Sequence, residues 1–176
     1  MIEDILDLNV KPKEKQNRLV QAVLSGKIPV GDFIAFFETA GKVDKGTCAD
    51  AMKHIAIAKP ELLLPHIDIL IRHINDPLPR VKWGIPEAIG NMAKEYPHET
   101  VQAIPFLLKN TMLGKNNTTV IRWCAAFALT EIAPNNPDAR EELLPVFETL
   151  AVQDENSGVR KVYIKALKDI TKQPEQ

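Results

Sequence analysis

Three dipeptides at intervals of about forty residues carry the side chains with the clearest potential for chemistry. They are Lys82-Trp83, Arg122-Trp123 and Arg160-Lys161. An indole ring beside a basic group is typical of a binding surface, because Trp and Arg are the commonest hot-spot residues of protein interfaces. The third dipeptide replaces the indole by an amine. The pattern therefore predicts a binding position that recurs in each repeat. This position is aromatic in the first two copies and basic in the third.

Patterns that carry catalysis or metal binding are weak in this sequence. His66 and His73 can share one helix face, but a metal ion needs further ligands. The segment from Gly114 to Thr119 lacks the first glycine and the Gly-Lys-Ser/Thr run of a phosphate loop. We expect no catalytic residue, no metal site and no cofactor.

Proline marks the elements that position these dipeptides. Pro65, Pro105 and Pro145 lie forty residues apart, each after a short apolar run. Further positions match in the same register, and a period of this length is typical of two-helix repeats that stack into a solenoid. A solenoid has no closed core for a catalytic constellation and offers a long surface instead.

Each repeat is predicted to contain a helix A with the proline and a helix B with the basic dipeptide. The A helices are expected at about 60–75, 98–113 and 138–153, and the B helices at about 77–95, 117–134 and 156–172. A proline inside an A helix removes a backbone hydrogen bond and should kink the helix. The B helices carry an apolar stripe at helical spacing, which in the middle copy consists of Ile121, Ala125, Ala128, Leu129, Ile132 and Ala133.

The pattern weakens towards the N-terminus. Helices are expected at about 12–25, 30–40 and 44–58, and the last of these resembles a B helix. We interpret residues 1–43 as a divergent first repeat with a cap, residues 44–176 as recognisable repeats, and residues 1–176 as one domain. End repeats depart from the pattern because one of their faces meets water.

Composition favours an all-helical protein of the cytoplasm. Aromatic residues are only 6% of the chain and helix formers surround the β-branched residues. No run approaches the ~18 apolar residues of a membrane span, and the N-terminus has no secretory pattern. The net charge of −1 makes nucleic acid a less favoured partner than protein. Two cysteines are too few for a disulfide framework and are expected to be buried thiols.

The repeat resembles the HEAT repeats of the armadillo-like superfamily. The matching features are the A-helix proline, a turn aspartate six residues before a basic residue (Asp76 before Lys82, Asp154 before Arg160), and the Ala and Leu of helix B. Asn116 replaces the aspartate in the middle copy. The resemblance implies an all-α, right-handed α-α superhelix of about four helix pairs, in which aspartate and arginine form a ladder between adjacent repeats.

In HEAT-like stacks the B helices line the concave side, so the resemblance points to B-helix residues outside the apolar stripe. We expect a concave groove with an aromatic centre, basic flanks and a lysine-rich end. Its candidate binding residues are Lys82, Trp83, Glu87, Arg122, Trp123, Phe127, Arg160, Lys161 and Lys165. The alternative is that both tryptophans pack between B helices, since Trp is highly buried on average.

Two functions follow from this interpretation, and a third possibility is a subunit or regulatory domain that acts only within a larger assembly or on an enzyme encoded nearby. The first is a non-enzymatic scaffold that binds a protein or peptide on the concave face and does not bind a membrane. The alternative is a DNA-binding or alkylpurine DNA glycosylase-like HEAT protein, whose branch of the superfamily holds duplex DNA with tryptophans and basic residues. No position here matches the catalytic acid of that branch.

Overall fold

A computed structural model of the chain describes residues 1–172, which form stacked helices joined by short connectors. The helices are α1 (Ile2–Leu6), α2 (Pro12–Leu24), α3 (Val30–Thr39), α4 (Lys42–Ala58), α5 (Ile67–Arg72), α6 (Pro79–Met92), α7 (Pro97–Thr100), α8 (Ile104–Asn110), α9 (Thr119–Ile132), α10 (Pro137–Gln153) and α11 (Ser157–Thr171). No strand occurs in this part of the chain. The predicted all-α solenoid is confirmed.

The helices form two layers. In the B layer α2 packs on α4, α4 on α6, α6 on α9 and α9 on α11. The A layer covers one side of this row, with α3 on α4, α5 on α6, α8 on α9 and α10 on α11. One cluster of buried apolar side chains runs between the layers from Ile2 to Ile170. Each repeat therefore buries its stripe against its own A helix and its neighbours.

The prolines interrupt two of the three long A helices that the sequence predicted. Pro65 lies in a 3-10 turn, Leu64–His66, and helix α5 begins only after it. Pro105 is the second residue of α8, which follows another 3-10 turn. Proline has no N–H for an i→i−4 bond and its ring crowds the preceding turn. In the third copy α10 continues through Pro145, as the long A helix predicted from the sequence does.

The apolar stripe of the B helices is buried, as predicted. Val81 and Ile85 in α6 and Ile121 and Leu129 in α9 are at most 1% exposed. Small residues allow the close approach of these helices. A Cβ on Gly84 of α6 would lie 2.4 Å from the carbonyl oxygen of Ala49 in α4. With this side of each B helix against its neighbours and the A layer, the opposite side faces away from the core.

A ladder of polar contacts joins each B helix to the connector of the next repeat. Arg122 forms the strongest rung: its Nε donates to Asp154 Oδ2 at 2.8 Å and its Nη2 to Asp154 Oδ1 at 3.3 Å. Lys45 lies 3.0 Å from Asp76 Oδ2. Lys82 reaches only the backbone oxygen of Asn116, at 3.5 Å. The missing aspartate in the middle connector therefore leaves the weakest rung.

Asp76 is the acceptor at the centre of the polar contacts between α4 and the next connector. Burial alone would raise the pKa of this carboxyl, but the backbone N–H of Leu78 and the side chains of His73 and Lys45 outweigh it. The pKa of Asp76 is lowered as a result, so its ionised form is stabilised in the folded chain. This contribution to stability is present above the unfolded pKa of aspartate and is lost as the pH falls through the folded pKa.

Cys48 and Cys124 are buried free thiols, as the sequence predicted. Burial, with a smaller effect of Asp44, raises the pKa of Cys48 to about 12. Within residues 1–172 no helix is both long and apolar enough to cross a membrane. The predicted domain extends to residue 176, and its last four residues lie outside the described part of the chain.

Candidate functional site

The B face is the side of the B layer that points away from the A helices. Trp123 is 38% exposed there, and its ring stacks on that of Phe127 with centroids 5.8 Å apart and an interplanar angle of 7°. Positions 123 and 127 are one turn apart on α9, so the helix itself holds the two rings parallel. The pair forms an apolar platform that water reaches.

Trp83 occupies the same repeat position as Trp123, but its environment is different. Its side chain is half-buried, and its indole Nε1 is buried with no hydrogen-bond partner among the described residues. The alternative in which the tryptophans pack between B helices therefore fits Trp83 in large part. Trp123 instead exposes part of its ring to solvent. The B helix after Trp83 is α9, which is rich in alanine, whereas the B helix after Trp123 is α11, which carries three lysines.

The platform opens into a groove between α9 and α11 of about 340 Å³, here named the aromatic groove. Its main lining residues are Trp123, Phe127, Glu131, Val162, Lys165 and Asp169. Both walls are helices packed on each other. The side chains therefore project from rigid elements, which lowers the entropic cost of ordering them on binding.

Charged groups line the edge of the aromatic groove. Lys165 Nζ lies 2.8 Å from Asp169 Oδ2, and this contact raises the pKa of Lys165 and lowers that of Asp169. Glu131 reaches solvent, but partial desolvation raises the pKa of its carboxyl, an effect that nearby Lys165 opposes. The groove therefore combines an apolar floor with one cation and two acids that sit close together.

The predicted basic flanks are largely occupied. Arg122 is buried and bound to Asp154, so its guanidinium does not face the groove, which corrects the expectation of a charge-assisted contact there. Arg160 is half-buried and donates through Nη1 to the backbone oxygen of Asp154 at 2.6 Å. Lys82 is half-buried beside Asn116. Arg122 and Lys82 reach the connector of the next repeat, whereas Arg160 binds the connector that precedes its own helix.

Glu87 joins a network on the B face. Its Oε2 lies 3.5 Å from Lys53 Nζ, and its Oε1 accepts from the thiol of Cys124 at 3.4 Å. Burial raises the pKa of that thiol and Glu87 adds to the effect. Lys161 and Lys165 at the end of the stack are exposed. The structure thus brings Trp123, Phe127 and Lys165 together in the groove, whose lining includes neither Glu87 nor Trp83.

Sequence reasoning missed Glu131, which lines the groove. It follows Phe127 by one turn, as Phe127 follows Trp123. The spacing i, i+4, i+8 places all three on one helix face. Extending the aromatic pair by one more turn would therefore have found it.

No protein-family model and no curated protein matches the sequence. Two solved structures match the fold. One is an engineered protein with 18% identity and a TM-score of 0.72, and the match covers 91% of this chain and 70% of that one. The other is a designed armadillo repeat protein with 18% identity and a TM-score of 0.69, where the match covers 96% of this chain and 80% of that one. The chain therefore has an all-α solenoid fold, which it shares with the designed armadillo repeat protein.

Proposed function

We propose that this chain is a non-enzymatic scaffold that binds a segment of another protein on its B face. The observation that carries the proposal is the aromatic groove, where Trp123 is 38% exposed and stacked on Phe127. An exposed indole in a pocket between rigid helices is a suitable contact for an apolar side chain of a partner. Aromatic rings also supply large contact area at a low cost in conformational entropy.

The architecture supports binding over catalysis. Repeat solenoids offer extended surfaces, and the two matched structures are an engineered and a designed protein, which supports the fold alone. The two acids of the groove, Glu131 and Asp169, lie with Lys165, which contacts Asp169 at 2.8 Å. The cytoplasm stays our predicted location from the sequence.

Peptide selection tests this proposal. A library of random peptides displayed on phage is selected against the wild-type protein, and the affinities of enriched peptides are measured by fluorescence polarisation. Trp123→Ala is expected to weaken their binding by about tenfold or more, as for an interface hot spot. The matched control is Phe106→Ala, because Phe106 is 37% exposed but lies on α8 in the A layer. This control should bind as the wild type does.

Two results would overturn the scaffold proposal. One is a selection that enriches no peptide. The other is enriched peptides whose affinity is the same for Trp123→Ala and wild type. Thermal unfolding of the double variant with Trp83→Ala and Trp123→Ala adds a check on the packing alternative, since a large loss of Tm would show that the rings act mainly in stability.

The DNA-binding or alkylpurine DNA glycosylase-like alternative makes a different prediction. Lys165 next to the exposed Trp123 is the observation in its favour, because basic groups bind phosphates. It requires duplex DNA to shift in a mobility assay at low salt and to be released as salt rises. An absence of binding at low salt would remove this alternative.

A further inference from the structure

The charges of the chain are divided unevenly between its two layers. The five B helices together contain 13 Lys and Arg residues against 6 Asp and Glu residues, a net charge of +7. The whole chain has a net charge of −1, so the other residues carry −8. Acids are frequent on α10, where Asp138, Glu141, Glu142 and Glu148 are exposed. The near-neutral total therefore conceals a basic layer and an acidic layer.

Part of the basic excess serves the fold. Lys45 and Arg122 neutralise Asp76 and Asp154 of the connectors. The excess that remains is greatest on α11, which carries four basic residues and one acid. Lys161, Lys165 and Lys168 are exposed on this helix. Lys165 lines the aromatic groove, and Lys161 lies one helical turn before it, outside the lining residues.

Lys165 can change partners at little cost. Its ion pair with Asp169 is exposed on both sides, with side-chain exposures of 81% and 53%. Exposed pairs of this kind add little to stability because solvent screens them. A carboxylate from a partner can therefore replace Asp169 at Lys165 without a loss of folding.

We propose that the aromatic groove takes an acidic peptide, in which an apolar side chain contacts Trp123 and Phe127 and flanking carboxylates contact Lys161 and Lys165. This inference rests on the proposed scaffold function and adds the charge class of the partner. The charges across the interface are complementary, which sets partner specificity and speeds association more than it adds affinity.

The groove favours a peptide over a nucleic acid. Glu131 and Asp169 line the same space as the lysine, and Glu87 lies on the same face. A nucleic acid carries a phosphate at every nucleotide and would bring charge next to these carboxylates. A peptide can place its acids only where the lysines are, and its backbone N–H groups can donate to Glu131.

The net charge of the peptides selected from a random library tests the inference. We expect the Trp123-dependent peptides to be enriched in Asp and Glu and to bind more weakly as salt increases. Trp123-dependent peptides that are neutral or basic would overturn the charge inference and leave the scaffold proposal intact. A selection without Trp123-dependent peptides would overturn both.

A charge-reversal variant sharpens the test. Lys161→Glu with Lys165→Glu should weaken a selected acidic peptide by about tenfold or more, and the milder Lys→Gln pair should have a smaller effect in the same direction. The matched control is Lys109→Glu on α8, an exposed lysine of the A layer, which should bind as the wild type does. Circular dichroism confirms that each variant is folded.

Nucleic acid is the competing outcome. An oligo(dT) strand and a DNA duplex are titrated under the same conditions. Binding of either one more tightly than every selected peptide, with loss in the charge-reversal variant, would overturn the acidic-peptide inference in favour of phosphate binding.

Discussion

Replacing Arg122 by alanine is expected to lower the free energy of unfolding by about 3 kcal/mol. Arg122 and Asp154 form a buried ion pair between adjacent repeats, with both side chains at most 7% exposed. Loss of the guanidinium would leave the carboxylate of Asp154 buried, with the backbone N–H of Asn156 as a remaining donor. That donor places the expected cost at the low end of the range for broken buried pairs, about 3–5 kcal/mol.

Lys82→Ala is the matched control, because Lys82 occupies the same repeat position on the preceding B helix. Its Nζ reaches a backbone oxygen at 3.5 Å, so its loss should cost about 1 kcal/mol or less. Chemical denaturation gives both values. The double variant with Arg122→Met and Asp154→Leu should recover most of the loss, since it removes the buried charge. Equal effects of Arg122→Ala and Lys82→Ala would show that the ladder does not hold the repeats together.

Gly84→Ala is expected to destabilise the chain by about 3 kcal/mol, the opposite of the usual effect of alanine in a helix. The new Cβ would lie 2.4 Å from the carbonyl oxygen and 2.5 Å from the carbonyl carbon of Ala49. These are backbone atoms of α4 and cannot rotate away. Helices α4 and α6 would have to separate, which loosens the buried stripe along both.

Gly31→Ala is the matched control, because Gly31 lies in α3 and nothing is within 4 Å of its Cβ position. There alanine should stabilise the chain by about 0.5–1 kcal/mol through helix propensity and a less flexible unfolded state. Thermal unfolding of both variants measures the difference. If Gly84→Ala is as stable as Gly31→Ala, the close approach of α4 and α6 is not a constraint on the fold.

The repeat architecture could be predicted because it depends on local periodicity. The stripe that begins at Val81 and the one that begins at Ile121 recur at helical spacing, and burial at that spacing requires only that each helix pack on its neighbours. The A helices were harder to predict. Pro65 lies in a 3-10 turn before α5 and Pro145 lies inside α10, although both follow an apolar run, because the outcome depends on the surrounding packing.

The candidate site was predicted less completely than the fold. Trp123, Phe127 and Lys165 line one groove, and their common register already indicated that they share a face. Arg122 has the same register as Lys82, but its side chain is buried and paired with Asp154, 32 residues further along the chain. The charge balance was also misleading, since the total of −1 hides a basic B layer. A charge count by helix needs the helix boundaries first.

The sequence by itself determined the repeat period, the helical class and the face on which each B-helix residue lies, because these follow from spacing along one chain segment. Only the tertiary structure decided which basic side chains are buried in ion pairs and which remain exposed. Arg122 and Lys45 are bound by aspartates of the next connector, whereas Lys161 and Lys165 lie on the last B helix. Whether a basic side chain is paired depends on which residues of the neighbouring repeat lie within a few ångströms of it. Spacing along the chain does not give that distance.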